Sequence, residues 1–98
     1  MSDITQKIIA MQLNLRDLRS CAGWTQEKLG KMLGVSKQTI SQLERSENRL
    51  SQAQYIAIRS LLDHVKAERP LLSKAIDIYF GPGNWMNEVF ELLKGETK

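Results

Sequence analysis

Apolar residues recur at helical spacing along most of the chain, and no stretch alternates with the period of two that marks a strand. Ile4, Ile8, Met11, Leu15 and Leu18 share one face. With Asp3 and Gln6 resembling a capping pair, they predict a first helix reaching about Cys21. Leu29, Met32 and Leu33 form the next stripe, behind a Thr25 cap. Ile40 and Leu43 give a third helix its buried side, and Ser36 caps it. Ser51 and Gln54 have the form of a capping box opening a fourth helix, with Tyr55, Ile56, Ile58, Leu61, Leu62 and Val65 toward a core. Pro70 suits the first turn of another helix, whose apolar side is Leu71, Leu72, Ala75, Ile76 and Tyr79. Gly81-Pro82-Gly83-Asn84 interrupts the pattern, and Trp85 to Lys94 predicts a last short helix. The expected fold class is all-α, a five- to six-helix bundle with a short C-terminal helical hairpin.

The stretch from Thr25 to Arg45 carries the most chemistry. Glu27 stands in the first turn of its helix, where negative charge suits the helix dipole. Gly34 is placed to end that helix in a left-handed conformation. Gly30 lies inside it, where glycine costs about 1 kcal/mol relative to alanine and so needs a packing reason. A tight turn between two steeply crossed helices supplies one, with Gly30 on the side expected to face Ile40. The alternative is an ordinary helical hairpin with incidental glycines. Lys37, Gln38, Ser41, Gln42 and Arg45 are left facing outward, with no acid among them.

These residues resemble the Cro and phage-repressor type of helix-turn-helix, the XRE family. The resemblance runs from about Met11 to Val65 through Leu18-Arg19, Gly23-Trp24-Thr25-Gln26, Leu29-Gly30, Gly34-Val35-Ser36 and Ile40-Ser41-Gln42-Leu43-Glu44. It implies a DNA-binding domain over residues 1–66 with an extended first helix, followed by an extension over 67–98. It also implies an ion pair between Arg19 and Glu44, the alternative being a solvated Glu44. Two departures stand out. Gly30 occupies a position where many members have alanine, and the run Arg45-Ser46-Glu47-Asn48-Arg49 replaces the usual asparagine-glycine exit. Asn48 is then the expected left-handed residue of that exit.

The chemistry of the outward residues agrees with the resemblance. A helix fits the major groove, where all four base pairs are distinguishable. Gln38 and Gln42 each carry an amide that can pair with adenine, Lys37 can reach guanine or a phosphate, and Ser36 and Ser41 are short enough for close approach. The resemblance places Lys37, Gln38 and Gln42 at base-reading positions, and Ser41 lies among them. Thr25, Gln26, Ser36, Arg45, Asn48 and Arg49 form the expected phosphate-binding set. For Arg49 a solvated loop charge is the alternative.

Composition narrows the classes further. The 98 residues carry a formal net charge of +3, a mild attraction to polyanions rather than a basic tail. A single Cys21 excludes an internal disulfide, and its plainest role is a small buried residue. His64 is alone, with no second ligand at metal spacing, so a solvated or helix-end position is expected. No catalytic constellation, cofactor motif or metal site is apparent, and an enzyme is not expected. No apolar run approaches a membrane span, and the first residues lack the layout of a signal peptide. A soluble cytoplasmic protein is the expectation.

Trp85, Met86, Val89, Phe90, Leu92 and Leu93 crowd the last helix, which needs something to cover it. Packing within one chain is one answer. A homodimer seam through Trp85, Met86, Val89, Phe90 and Leu93 is the favoured one, since it lets two helices spanning 36–45 read an inverted repeat on double-stranded DNA. The leading expectation is a transcriptional regulator, a repressor of bacterial or phage origin. An antitoxin that binds its own operator and a toxin is the second, and a protein-interaction module that has lost DNA binding is the third. That last class predicts acids on the recognition helix, which Lys37, Gln38, Gln42 and Arg45 oppose.

Overall fold

The computed structural model describes residues 3–80, all of it helix and connecting turns. Helices α1 (Asp3–Leu13), α2 (Leu15–Cys21), α3 (Gln26–Leu33), α4 (Lys37–Glu44), α5 (Gln52–Val65) and α6 (Pro70–Phe80) follow in order, with one 3-10 turn at Lys66–Glu68. The expected break at 81–84, the last short helix and the seam residues Trp85, Met86, Val89, Phe90 and Leu93 lie outside the described residues.

Three local signals act where expected. The Thr25 hydroxyl accepts from the Lys28 N–H, the Ser36 hydroxyl from Thr39, and Ser51 with Gln54 forms a reciprocal capping box. Each satisfies backbone donors that a helix start otherwise leaves open. Pro70 does open α6.

The first helix departs from expectation because it breaks at Asn14. The Asn14 side chain donates to the Ala10 carbonyl at 2.8 Å, and its backbone N–H is shared between Ala10 and Met11. A side chain that bonds its own preceding turn competes with the helical ladder, and the chain restarts as α2. The break leaves Met11, Leu15 and Leu18 all buried. Asp3 is itself helical rather than a cap.

One apolar cluster runs through the bundle, joining Met11, Leu15 and Leu18 to Leu29, Ile40 and Leu43, and these to Tyr55, Ile58 and Leu62. Helix α6 adds Leu72, Ile76 and Phe80 to the same cluster, against α1 and α2. Truncating any one of the fully buried leucines to alanine costs about 2–5 kcal/mol.

Two expected core positions point outward instead. Met32 is 38% exposed and Leu71 72% exposed. On α3 the buried side is Leu29 with Gly30, which turns Met32 away. On α6 the stripe is set by Leu72, Ile76 and Phe80, which carries Leu71 and the equally outward Ile78 round to the far face. Cys21 is half-buried, and burial together with the Asp17 charge pushes its thiol pKa up. His64 is exposed in the last turn of α5.

Arg59, on the polar side of α5 by type, is buried at 4% exposure. Its guanidinium lies 4.4 Å from the centre of the Phe80 ring and donates to the Tyr55 hydroxyl at 3.1 Å. Tyr55 in turn meets Phe80 edge-on at 6.2 Å. This cluster ties α5 to the end of α6, and the Tyr79 hydroxyl donates to Asp17 to tie α6 to α2.

Candidate nucleic-acid interface

Helices α3 and α4 are joined by three residues, and the close approach falls at Gly30. A Cβ there would stand 2.8 Å from the Val35 carbonyl oxygen and 3.2 Å from that of Ser36. Glycine is therefore required by the turn backbone itself, not by Ile40 as the spacing suggested. Gly34 follows at φ 76°, so that its N–H bonds Lys31 and that of Val35 bonds Gly30.

The far end of α4 repeats this device with a different residue. Ser46, not Asn48, takes the left-handed conformation, at φ 59°. Its N–H bonds the Leu43 carbonyl at 3.1 Å, and that of Glu47 bonds Gln42 at 2.9 Å, the paired bonds of a Schellman ending. The turn must come directly after the helix to satisfy these carbonyls, two residues earlier than expected.

Beneath the outer face sits a charged network. Arg19 donates to Glu44 from Nε at 2.6 Å and from Nη2 at 3.3 Å, and from Nη1 to the Trp24 carbonyl at 2.8 Å. Gln26 adds its amide N–H to the same carboxylate at 2.9 Å. The Glu44 side chain is 6% exposed, so it faces inward. The last turn of α2, the start of α3 and the end of α4 are thereby locked together.

Above this network is an open hollow of about 680 Å³. Thr25, Gln26, Lys37, Ser41 and Arg45 line it, over the Arg19–Glu44 pair. So do Glu27 and Arg16. Arg16 was missed from the sequence, because its position on α2 gives no sign that it stands beside α4. Lys37 and Gln38 are exposed, Ser41 and Gln42 half-buried, and Ile40 and Leu43 buried. Ser36 is exposed at the head of α4, where its hydroxyl serves the cap.

A family model described as helix-turn-helix matches residues 15–68. The chain belongs to that family. Its members of the Cro and repressor type are DNA-binding regulatory domains, and in this helix-turn-helix α4 is the second, recognition helix. The comparisons with curated proteins and with solved structures gave no match. No helix among the described residues is long and apolar enough to cross a membrane.

Several outward side chains of the helix-turn-helix already have partners. Arg45 donates to both carboxylate oxygens of Glu47, at 2.8 and 3.2 Å, and to the Ser41 hydroxyl at 2.8 Å. The hydrogen bond from Arg45, with its charge, holds the Glu47 carboxyl below the usual range, while Arg45 is raised. The Asn48 amide donates to Gln42 at 2.8 Å. Arg49 is exposed and makes no ion pair among the described residues.

Proposed function

We propose that this chain is a sequence-specific DNA-binding regulator that lays α4 in the major groove and acts as a homodimeric repressor in the cytoplasm. The observation that carries the reading is the outer face of α4, where Lys37, Gln38, Ser41 and Gln42 reach the surface with no acid on the helix before Glu44. Lys37, Gln38, Ser41 and Gln42 read base edges, and the hollow beside them receives a phosphate. Thr25, Gln26, Ser36, Arg45, Asn48 and Arg49 hold the sugar–phosphate backbone, joined by Arg16 from α2. A symmetric pair of chains presents two such helices about 34 Å apart, which favours an inverted repeat. The division into a DNA-binding part over 1–66 and an extension over 67–98 used for dimerisation belongs to the same reading.

Selection of bound sites from a random DNA pool tests this directly. An enriched inverted repeat is expected, and Gln38→Ala or Gln42→Ala should each lower discrimination at one position by about 1–3 kcal/mol. Unchanged discrimination in both variants would reject the assignment.

The antitoxin reading draws support from α6, where Leu71 and Ile78 present apolar side chains at 72% and 77% exposure. Co-purification of a second, toxic protein with the chain favours it; a lone homodimer on DNA favours the repressor.

A further inference from the structure

Glutamine is ambivalent, offering both a donor and an acceptor, yet the two glutamines of α4 stand in different surroundings. Gln38 is exposed and its amide has no partner among the described residues, so it can turn either way to a base. Gln42 is half-buried, and its Oε1 accepts from Asn48 Nδ2 at 2.8 Å. The backbone that carries Asn48 is itself held in place, while its side chain is exposed and bonds Gln42. Gln12, near the end of α1, donates from one Nε2 to both the Leu43 carbonyl, at 3.0 Å, and the Asn48 carbonyl, and its Oε1 accepts the Leu50 N–H at 2.9 Å. Turning the Gln12 amide over would set nitrogen against N–H and oxygen against two carbonyls, so its direction is settled by its partners. Leu43 and Leu50 are buried, which anchors both ends of the segment that Gln12 spans.

We infer that Asn48 is a positioning residue for specificity, fixing the Gln42 amide so that it offers an N–H donor to the base rather than an oxygen. The inference rests on the reading that α4 enters the major groove. With Oε1 engaged by the exit loop and Nε2 without a partner among the described residues, Nε2 is the amide atom left to meet a base edge. Such a donor suits guanine, whose O6 and N7 both accept, or thymine O4, over the exocyclic amines of adenine and cytosine. The opposite pairing, with Gln42 donating to the Asn48 oxygen, presents an acceptor and favours those amines.

The test uses the whole chain and a selected binding site. Gln42→Ala first identifies the contacted position as the one whose preference disappears. Duplexes altered only there, with 7-deazaguanine or a thymine analogue lacking O4, remove an acceptor; analogues of adenine or cytosine lacking the amine remove a donor. Wild-type protein should lose roughly tenfold in affinity when the acceptor is removed and nothing when an amine is removed. Asn48→Ala should shrink that difference, and Asn48→Asp, which can only accept from Gln42, should transfer the sensitivity to the amine. Sensitivity of the wild type to amine removal, or variants of Asn48 that discriminate as the wild type does, would overturn the inference. If no sequence is enriched, or Gln42→Ala changes no preference, the groove-reading role of Gln42 fails and takes this inference with it.

Discussion

Arg19 and Glu44, 25 residues apart in sequence, meet through two hydrogen bonds from one guanidinium edge to one carboxylate. The pair is largely enclosed, with side chains 13% and 6% exposed, and Gln26 satisfies the same carboxylate. It joins α2 to the end of α4 and so sets the angle at which the recognition helix is offered.

Removing one member should leave the other charge enclosed and unmatched. Arg19→Met or Glu44→Leu is expected to cost about 3 kcal/mol in urea unfolding, and the double variant less than the two losses added. Strict additivity would show that the two side chains do not support each other.

Gly30→Ala sets two effects against each other. Alanine gains about 1 kcal/mol of helix propensity, but its Cβ would stand 2.8 Å from the Val35 carbonyl oxygen. The preceding peptide is pinned by the Val35 N–H bond to the Gly30 carbonyl at 2.8 Å, so the turn has little freedom to retreat. The clash should win, with a net loss of about 1–2 kcal/mol and a lower thermal midpoint. A variant as stable as the parent would mean that the turn relaxes freely.

Ser46 bears a side chain in a conformation that suits glycine. At φ 59° its Cβ costs about 1 kcal/mol, so Ser46→Gly should stabilise the protein by up to that amount. The two turn hydrogen bonds are made by the backbone and survive the change. Chemical denaturation reads the gain, and a destabilised variant would contradict the role assigned to Ser46.

Glu47 holds Arg45, the side chain proposed to meet a DNA phosphate. Glu47→Ala should raise operator affinity a few-fold and steepen the dependence of log affinity on log salt by about one per freed contact. Acid should act in the same direction. The Glu47 carboxyl has a lowered pKa in the fold, so the pair persists above the ordinary carboxylate range and is lost as pH falls through the lowered value. Relative to the parent, the variant should therefore show its advantage at neutral pH and lose it in acid. An equal advantage at both would mean that Arg45 is not the group released.

Much of the fold could be read from short stretches. Thr25, Ser36 and Ser51 announce helix starts because capping acts over three residues, and the Leu15–Leu18 and Ile40–Leu43 spacings reveal buried faces because helical geometry is local. Asn14, by contrast, looked like any polar position of a long helix. Its break depends on the side chain bonding the Ala10 carbonyl, an outcome that competes closely with continuing the helix. Leu71 and Leu72 are adjacent and chemically equivalent, and only the seat of α6 against α1 and α2 buries one and exposes the other.

The candidate site divides along the same line. Its residue types and its helix-turn-helix spacing were set by the sequence, because a short turn leaves few ways to join two helices. The occupancy of its polar groups was not. Gln12 grips a carbonyl 31 residues away and an N–H 38 residues away, Arg16 joins a hollow otherwise built by α3 and α4, and Asn48 turns toward Gln42. Hydrogen bonds depend on distance and direction in space, and tertiary folding decides both.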